Sequence, residues 1–592
     1  MSPFTVPEIA WGQLAPVLLV LGAAVVGVLV EALVPRRIRR PVQLTLALAA
    51  LAGAVVAVAL LWDDVAATGG TDVLGGSLLV DGPTLVLQGT TALLALLAVL
   101  VIADRSGGED AFAPQGASVP GSGYEAAARA AVLQQTEVFP LVLFATGGML
   151  IFPATGDLLT LFVALEVLSL PLYLLSGLSR RRRLLSQEAS MKYFLLGSFA
   201  SALLLFGIAL LYGFAGSLRY ADIAAAVRTE TGMDGLLLAG SLLLLAGLLF
   251  KVGAVPFHSW TPDVYQGAPT PITGYMAACT KVAAFGALLR VFYGVLPDLR
   301  WDLEPVMWTV AIATMALGTV VALVQTDIKR VLAYSSIAHA GFVLTGVVAL
   351  TGSGITAVLF YLLAYGAATV GAFAVVTLVR ERGAVRMVGV PAARVPALAG
   401  SASTAGGSGG SGVTAPAGAG ATPGSSGGAA AAGAPGAGGD AEPGEPEGPV
   451  LGEATHLSQW AGLGRTSPVL ATTFALFLLS FAGIPLTAGF TGKFAVFSAA
   501  VEGGAWPLAV VGVLASAAAA FFYVRIIVLM FFTGPQGGPR EDGDEGHPAA
   551  VVVRSEGPTV VAIAVCALIT VVLGVFPGPV LDAVASVAQL LP

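Results

Sequence analysis

Apolar runs about as long as a membrane-crossing helix follow one another through the chain, each ended by a short polar or Gly/Pro-rich break. Crossing roughly 30 Å of hydrocarbon takes about 20 mostly apolar helical residues. The pattern predicts fourteen crossings, at approximately 14–34, 42–62, 84–103, 138–155, 157–178, 190–214, 236–255, 271–296, 304–324, 331–350, 355–379, 467–499, 506–532 and 558–586. Only PATGD separates the fourth from the fifth, so thirteen is the rival count. The first run has no basic segment before it and is followed by RRIRR (Arg36 to Arg40), so it reads as a retained span rather than a cleaved signal. The expected fold is an all-α polytopic membrane protein with about 14 transmembrane helices.

Composition agrees. Of 592 residues, 56% are hydrophobic and only 11% charged, and the mean hydropathy is +0.88. A soluble chain of this size needs far more charge to cover its surface. The net charge of -7 is spread over loops and an insert, and nothing in it points to nucleic acid. Cys279 and Cys566 stand alone in apolar runs and cannot supply the thiolates of an iron–sulfur cluster. With four histidines, two of them in polar loops, haem ligation inside the membrane is not expected either, so the chain is expected to hold no cofactor and no metal.

Basic residues set the expected orientation. With fourteen spans and the N-terminus outside, 19 of the 28 Lys and Arg fall on one face, 3 on the other and 6 inside spans. The expectation is a multi-pass bacterial plasma-membrane protein with both termini outside. Its layout would be an N-terminal three-helix segment (1–103), a polar cytoplasmic loop (104–137), a first repeat (138–296), a second repeat (304–532) and a C-terminal helix (558–592). Residues 534–557 form another polar loop. Residues 389–453, a Gly/Ala/Ser/Pro tract ending in DAEPGEPEGP, have few large apolar side chains to bury and are expected to be a disordered insert within the second repeat.

The lysines are distributed unlike the arginines. Only five of the 28 basic residues are lysines, yet four of them (Lys192, Lys251, Lys281 and Lys493) lie inside predicted spans. Arginine keeps its charge under any accessible condition, whereas a desolvated lysine can release its proton. A charge at mid-helix costs roughly 2.5–3.5 kcal/mol on insertion scales, which makes such residues functional candidates. Glu166, in LFVALEVLSLPLYLLSG, is the one acidic residue deep in a span. Two readings stay open for each. Lys192 also suits snorkelling to the interface, and Lys251 and Lys281 also suit a purely structural ion pair with Glu166. His339, in SSIAHAGF, is either an interhelix hydrogen-bonding residue or a proton-relay member. His258 and Asp263, in HSWTPDVYQGAPTP, form a cytoplasmic entrance or a turn. Arg290 and Arg525 lie nearer helix ends and read as structural.

Two spans carry breakers beside a lysine. In LLFKVGAVPFHSW, Pro256 removes a backbone donor and disfavours helix at Val255, close to Lys251. In FAGIPLTAGFTGKF, Gly483, Pro485, Gly489 and Gly492 crowd around Lys493. Five spans separate the breaks, which points to an inverted repeat of spans 4–8 and 9–13 with an ion path at mid-depth.

EASMKYFLLGSFASALLLFGIALLYG, FKVGAVPFHSWTPDVYQGAPTPITGYMA and AGIPLTAGFTGKF resemble the antiporter-like membrane subunits of complex I, the bacterial NADH–quinone oxidoreductase, and subunit N most closely. The resemblance implies a proton-translocating translocase subunit with no redox chemistry of its own, coupled to electron transfer and to quinone, flavin and iron–sulfur clusters in partner subunits. It implies a proton relay of Glu166, Lys251, Lys281 and Lys493, with Lys192 matching a further lysine and His339 a histidine of the central axis. The implied partners are the lipid bilayer and other complex I membrane subunits, especially subunit M and the small ones. Subunit M usually has glutamate where this chain has Lys493, and subunit L continues into a lateral helix where this chain stops at Pro592. The matching subunit of multisubunit cation/proton antiporters is the alternative. The insert at 389–453 departs from the family.

Overall fold

The structure, a computed structural model, describes residues 10–105, 111–113, 135–180, 182–229, 232–382, 450–534 and 550–591. Most of the 104–137 and 534–557 loops, and the insert as far as residue 449, lie outside the described residues. The first three spans are α1 (Ala15–Leu33), α2 (Arg36–Thr68) and α3 (Gly82–Ala103), with the hairpin β1 (Thr71–Val73) and β2 (Leu78–Val80) between the last two. Then come α4 (Val138–Ile151), α5 (Leu158–Ser176), α6 (Arg183–Ala215), the short amphipathic α7 (Tyr220–Thr229), α8 (Asp234–Val252), α9 (Trp260–Gly267) and α10 (Thr270–Val295). The second half holds α11 (Arg300–Val324), α12 (Ile328–Val348), α13 (Gly352–Leu378), α14 (Pro468–Ala482), α15 (Ala488–Glu502), α16 (Trp506–Phe532), α17 (Pro558–Val575) and α18 (Gly578–Val587).

Among the described residues, twelve helices are long and apolar enough to cross a membrane. The short α4 and the broken α14–α15 bring the crossings to fourteen. The connections test that count. Those after spans 3, 5, 9, 11 and 13 join one another through the Phe112–Ser179 and Asp327–His456 bridges, Arg182 to Thr455 (2.7 Å) and Ser555 to Asp104 (2.6 Å). Those after spans 2, 4, 6 and 8 join one another through the Leu78–Thr155 and Asp157–Arg219 bridges and Arg228 to Asp298 (2.8 Å), and those after spans 10 and 12 join through Ser353 to Glu502 (2.6 Å). Such alternate sorting onto two faces requires every run, including the fourth and twelfth, to be a crossing.

Local chemistry places the helix starts. Side chains of Asp81, Asp157, Asp327 and Thr351 accept from the first free backbone N–H groups of α3, α5, α12 and α13. Spans 6 and 7 pack backbone to backbone: a Cβ on Gly207 of α6 would lie 2.6 Å from the Leu244 nitrogen of α8. Burial is uneven, and that matters for the site. The helices α10, α12 and α13 are buried along all or nearly all of their length, whereas α1, α2, α16 and α17 form a largely exposed rim.

Two sequence expectations change. The run 558–586 is one span only to Val575; Pro577 lacks a donor and disfavours helix at Phe576, and α18 turns back onto α3. The last residues of the expected insert, Val450–Glu453, form a strand, β4, paired with β3 (Val379–Arg382), which also pairs with β5 (Ala550–Val552). Lys329 at the start of α12 reaches Ala268 O (2.7 Å) and Glu453 (3.3 Å) beneath this sheet. Burial alone would push the Glu453 carboxyl up, but Lys329 and Arg380 outweigh it and hold it at about 2. The ion pair therefore forms in full above the ordinary carboxylate range and is lost only as pH falls through about 2.

Arg382 and Val450, the residues flanking the undescribed 383–449, are cross-strand partners. Replacing 383–449 with a two-residue Asn-Gly turn should therefore leave assembly, read by native electrophoresis of the membrane complex, at the wild-type level.

Candidate functional site

Both broken spans end their first half in the same way. Helix α8 stops at Val252 because Gly253 turns left-handed (φ 75°), and α14 stops at Ala482 because Gly483 does so (φ 81°). Pro256 and Pro485 follow each glycine, and helix resumes at Trp260 and Ala488. Each break leaves carbonyls at a helix C-terminus without helical partners, where the dipole favours a cation.

Lys251 lies in the last turn of α8, buried, and donates to Ser169 Oγ (2.7 Å) on α5. Its ammonium stands 5.9 Å from the Tyr173 ring centroid and 5.4 Å from that of Tyr193. Glu166 is one turn from Ser169 on the same helix but does not contact Lys251, and its Oε1 is buried without a hydrogen-bond partner among the described residues. The structure therefore does not join Glu166 and Lys251 in an ion pair; the hydrogen bond of Lys251 goes to Ser169.

Lys281 opens the second α-helical stretch of α10, after a π-helical turn at Met276–Thr280. Its Nζ donates to Ser336 O on α12 and lies 5.9 Å from the Tyr365 ring. Tyr365 donates to Ser336 Oγ (2.8 Å). One turn along α12, His339 has a tyrosine on each ring nitrogen: Tyr361 at Nδ1 (2.6 Å) and Tyr523 at Nε2 (3.2 Å). Tyr523 is also hydrogen-bonded to Ser335.

Lys493, in the second turn of α15, folds back on the end of α14. Its Nζ donates to Phe481 O (2.7 Å), Ala482 O (3.1 Å) and Ser516 Oγ (2.7 Å), and stands 4.7 Å over the Phe342 ring. Between this break and His339 is a cavity of about 10 Å³, lined by His339, Tyr361, Tyr365, Ser480 and Gly489. That is about the space one water needs, with polar groups to hold it.

Lys192 is apart from these. It pairs with Glu188 (2.6 Å) and with Asp263 (2.7 Å) on α9, and Asp263 also holds Arg330 (2.9 Å). His258 is half-buried in the break, with Nδ1 unpartnered among the described residues. Arg290 is buried at the far end of α10, where it meets both oxygens of Asp81 (2.8 and 2.9 Å), Thr84 Oγ1 (2.8 Å) and Pro153 O (2.8 Å). Arg525 donates to Leu323 O (3.1 Å). Among the described residues no group of three or more His, Cys, Asp or Glu could hold a metal ion.

A family model described as NADH:quinone oxidoreductase/Mrp antiporter, TM, matches residues 155–390 and 451–518. NADH-quinone oxidoreductase subunit N of Beutenbergia cavernae is 60% identical over 596 residues, which cover 99% of each chain. The chain belongs to the subunit N family of NADH-quinone oxidoreductases. Subunit N of Rhodococcus opacus is 52% identical, covering 97% of this chain and 95% of the relative. A chain of respiratory complex I from Thermus thermophilus superposes with a TM-score of 0.67 at 29% identity, covering 97% of this chain and 100% of that one. A chain of the Mrp complex from Dietzia has the same fold, with a TM-score of 0.69 at 21% identity and coverage of 97% of each chain.

The hydroxyls around the lysines (Ser169, Ser335, Ser336, Tyr361, Tyr365, Tyr523 and Ser516) are absent from the sequence-derived set of subunit N candidates. Two signals for them were available. Ser335 and Ser336 stand one helical turn before His339, and Tyr361 and Tyr365 have the i, i+4 spacing that puts both on one helix face.

Gly483 lies directly against the Lys493 side chain. A Cβ there would lie 2.9 Å from Lys493 Cδ and 3.3 Å from its Nζ, on a backbone with φ +81°. Gly483→Ala should displace the ammonium from its carbonyls and lower proton translocation per NADH oxidised, with the complex still assembled; a pH-sensitive dye in sealed vesicles reads this.

Proposed function

We propose that this chain is the proton-translocating subunit N of a bacterial NADH:quinone oxidoreductase, moving protons through Glu166, Lys251, Lys281, His339 and Lys493 while electrons pass in other subunits. The observation that carries the reading is shared by three buried lysines. Each of Lys251, Lys281 and Lys493 bonds only to uncharged oxygens, and none has a carboxylate in ion-pair contact. A proton can leave an ammonium held this way without breaking an ion pair. Lysine, unlike arginine, has an accessible neutral form once the proton has gone.

The path follows the contacts. Glu166 attracts a proton to the Lys251 end, and drawing the two apart favours release towards Lys281. From Lys281 the Ser336–Tyr365 pair leads to His339, whose two tyrosine partners let a proton enter at one nitrogen and leave at the other. The cavity beside His339 gives a water room to pass it on to Lys493. Nothing covalent happens here; coupling is by charge and conformation.

The remaining assignments belong to the same reading. The chain lies in the bacterial plasma membrane with its basic face inward and both termini outward. It sits beside subunit M and the small membrane subunits, with flavin and iron–sulfur clusters in the peripheral partners. The repeat units span 138–296 and 304–532.

Lys251→Met and Lys281→Met should each abolish NADH-driven acidification of sealed inverted vesicles, while NADH oxidation by the assembled complex remains measurable after uncoupling. Normal acidification in either variant contradicts the assignment. The antiporter alternative predicts cation/proton exchange by the isolated chain in liposomes, which this reading does not.

A further inference from the structure

Lys251 is closed off on its basic-face side by aromatic rings. Tyr173 is one turn beyond Ser169 towards that end of α5, and its ring meets Tyr193 edge-on (4.7 Å) and Phe194 (5.8 Å). Tyr193 is stacked flat on Trp260, with centroids 4.7 Å and planes 9° apart. Trp260 continues to Tyr265 (6.3 Å), and Tyr265 to Phe373 on α13 (6.2 Å). These rings form an unbroken layer from α5 across α6 and α9 to α13. Tyr193, Trp260 and Tyr265 are fully buried, and Tyr193 Oη has no hydrogen-bond partner among the described residues. A buried aromatic layer, with the Tyr193 hydroxyl unpartnered among the described residues, separates the first lysine of the relay from that face.

One neutral hydrogen bond and two ion pairs hold the layer in place. Trp260 is the first residue of α9 and donates through Nε1 to Phe250 O (2.9 Å), the carbonyl just before Lys251. One turn further along α9, Asp263 is held between Lys192 on α6 (2.7 Å) and Arg330 on α12 (2.9 Å). Lys192 is the chain neighbour of Tyr193, the other half of the stack. A single carboxylate therefore ties both plates of the stack together, drawing on one cation from each repeat. The Lys192 side chain is 40% exposed and that of Asp263 32%, so this tie is open to solvent or to a partner, whereas the plates are not.

We propose that the Tyr193–Trp260 stack is the inner gate of the proton path, that Asp263 is its latch through Lys192 and Arg330, and that the structure holds the gate closed. Opening slides Trp260 off Tyr193, lets water reach the free Tyr193 hydroxyl and connects Lys251 to the cytoplasmic phase. The assignment rests on Lys251 belonging to the proton path. It makes Asp263 and Lys192 positioning residues rather than carriers of the proton.

The test uses the whole complex in sealed vesicles, with an imposed pH gradient, no NADH and a pH-sensitive dye. Trp260→Ala should collapse the gradient several-fold faster than wild type, and Trp260→Phe, which keeps a ring in the stack, should stay close to wild type. Asp263→Asn should also speed the collapse. Adding Lys251→Met to Trp260→Ala should restore the slow collapse, because the leak runs through that lysine. Assembled Trp260→Ala and Asp263→Asn complexes that hold the gradient as wild type does would overturn the gate. So would a leak that persists in the double variant. Where Trp260→Ala fails to assemble, Asp263→Asn alone decides by the same two outcomes. Lys251→Met by itself keeps the two readings apart: normal pumping there defeats the relay, whereas lost pumping without a Trp260→Ala leak defeats only the gate.

Discussion

An ammonium group in hydrocarbon costs roughly 2.5–3.5 kcal/mol even on lenient insertion scales, and this chain carries three at buried positions without giving any of them a contacting carboxylate. Instead it spends backbone and hydroxyls. Lys493 takes two carbonyls from the end of α14, Lys281 the second lone pair of a carbonyl within α12, and Lys251 a serine hydroxyl. Neutral acceptors hold a charge more weakly than a carboxylate does. That weakness allows a proton to be held and then passed on.

The architecture follows from supplying such acceptors. A continuous helix uses up its carbonyls, so two spans are interrupted, each by a left-handed glycine and then a proline, and each break opens acceptors at mid-depth. The polar groups must also be kept from lipid. The three most enclosed helices, α10, α12 and α13, are the ones that carry Lys281, His339 and the Tyr361–Tyr365 face. Of the rim helices, only α16 joins them, turning Ser516 and Tyr523 inward to Lys493 and His339. The buried Arg290–Asp81 pair at the far end of α10 uses the opposite strategy, a permanent cation on a permanent anion, and fits a clamp rather than a relay.

Span positions and the lysines were legible because length, hydropathy and misplaced charge are one-dimensional signals. Even the short fourth crossing and the broken twelfth could be read, since a helix interrupted at mid-depth still occupies a full apolar run. The hydroxyl network was not legible in the same way. Serine and tyrosine are common in apolar spans, and nothing local says that Ser169 rather than Glu166 meets Lys251, or that Tyr523 on the thirteenth span reaches back to His339 on the tenth. The ties of Asp263 join residues 71 and 67 positions away, which only the packed structure reveals. The strand at the end of the 389–453 insert was not legible for a similar reason. VLGE is only four residues long and includes a glycine, and it becomes a strand because β3 offers it an edge.

The relay requires each lysine to let go of a proton, and Lys251→Arg tests this most directly. The variant keeps the positive charge, most of the length and the ability to donate to Ser169, but removes the neutral form. In the reconstituted complex, protons translocated per NADH oxidised should fall to the level of a variant with no cation at that position. A Lys251→Arg complex that pumps at the wild-type ratio would contradict the account.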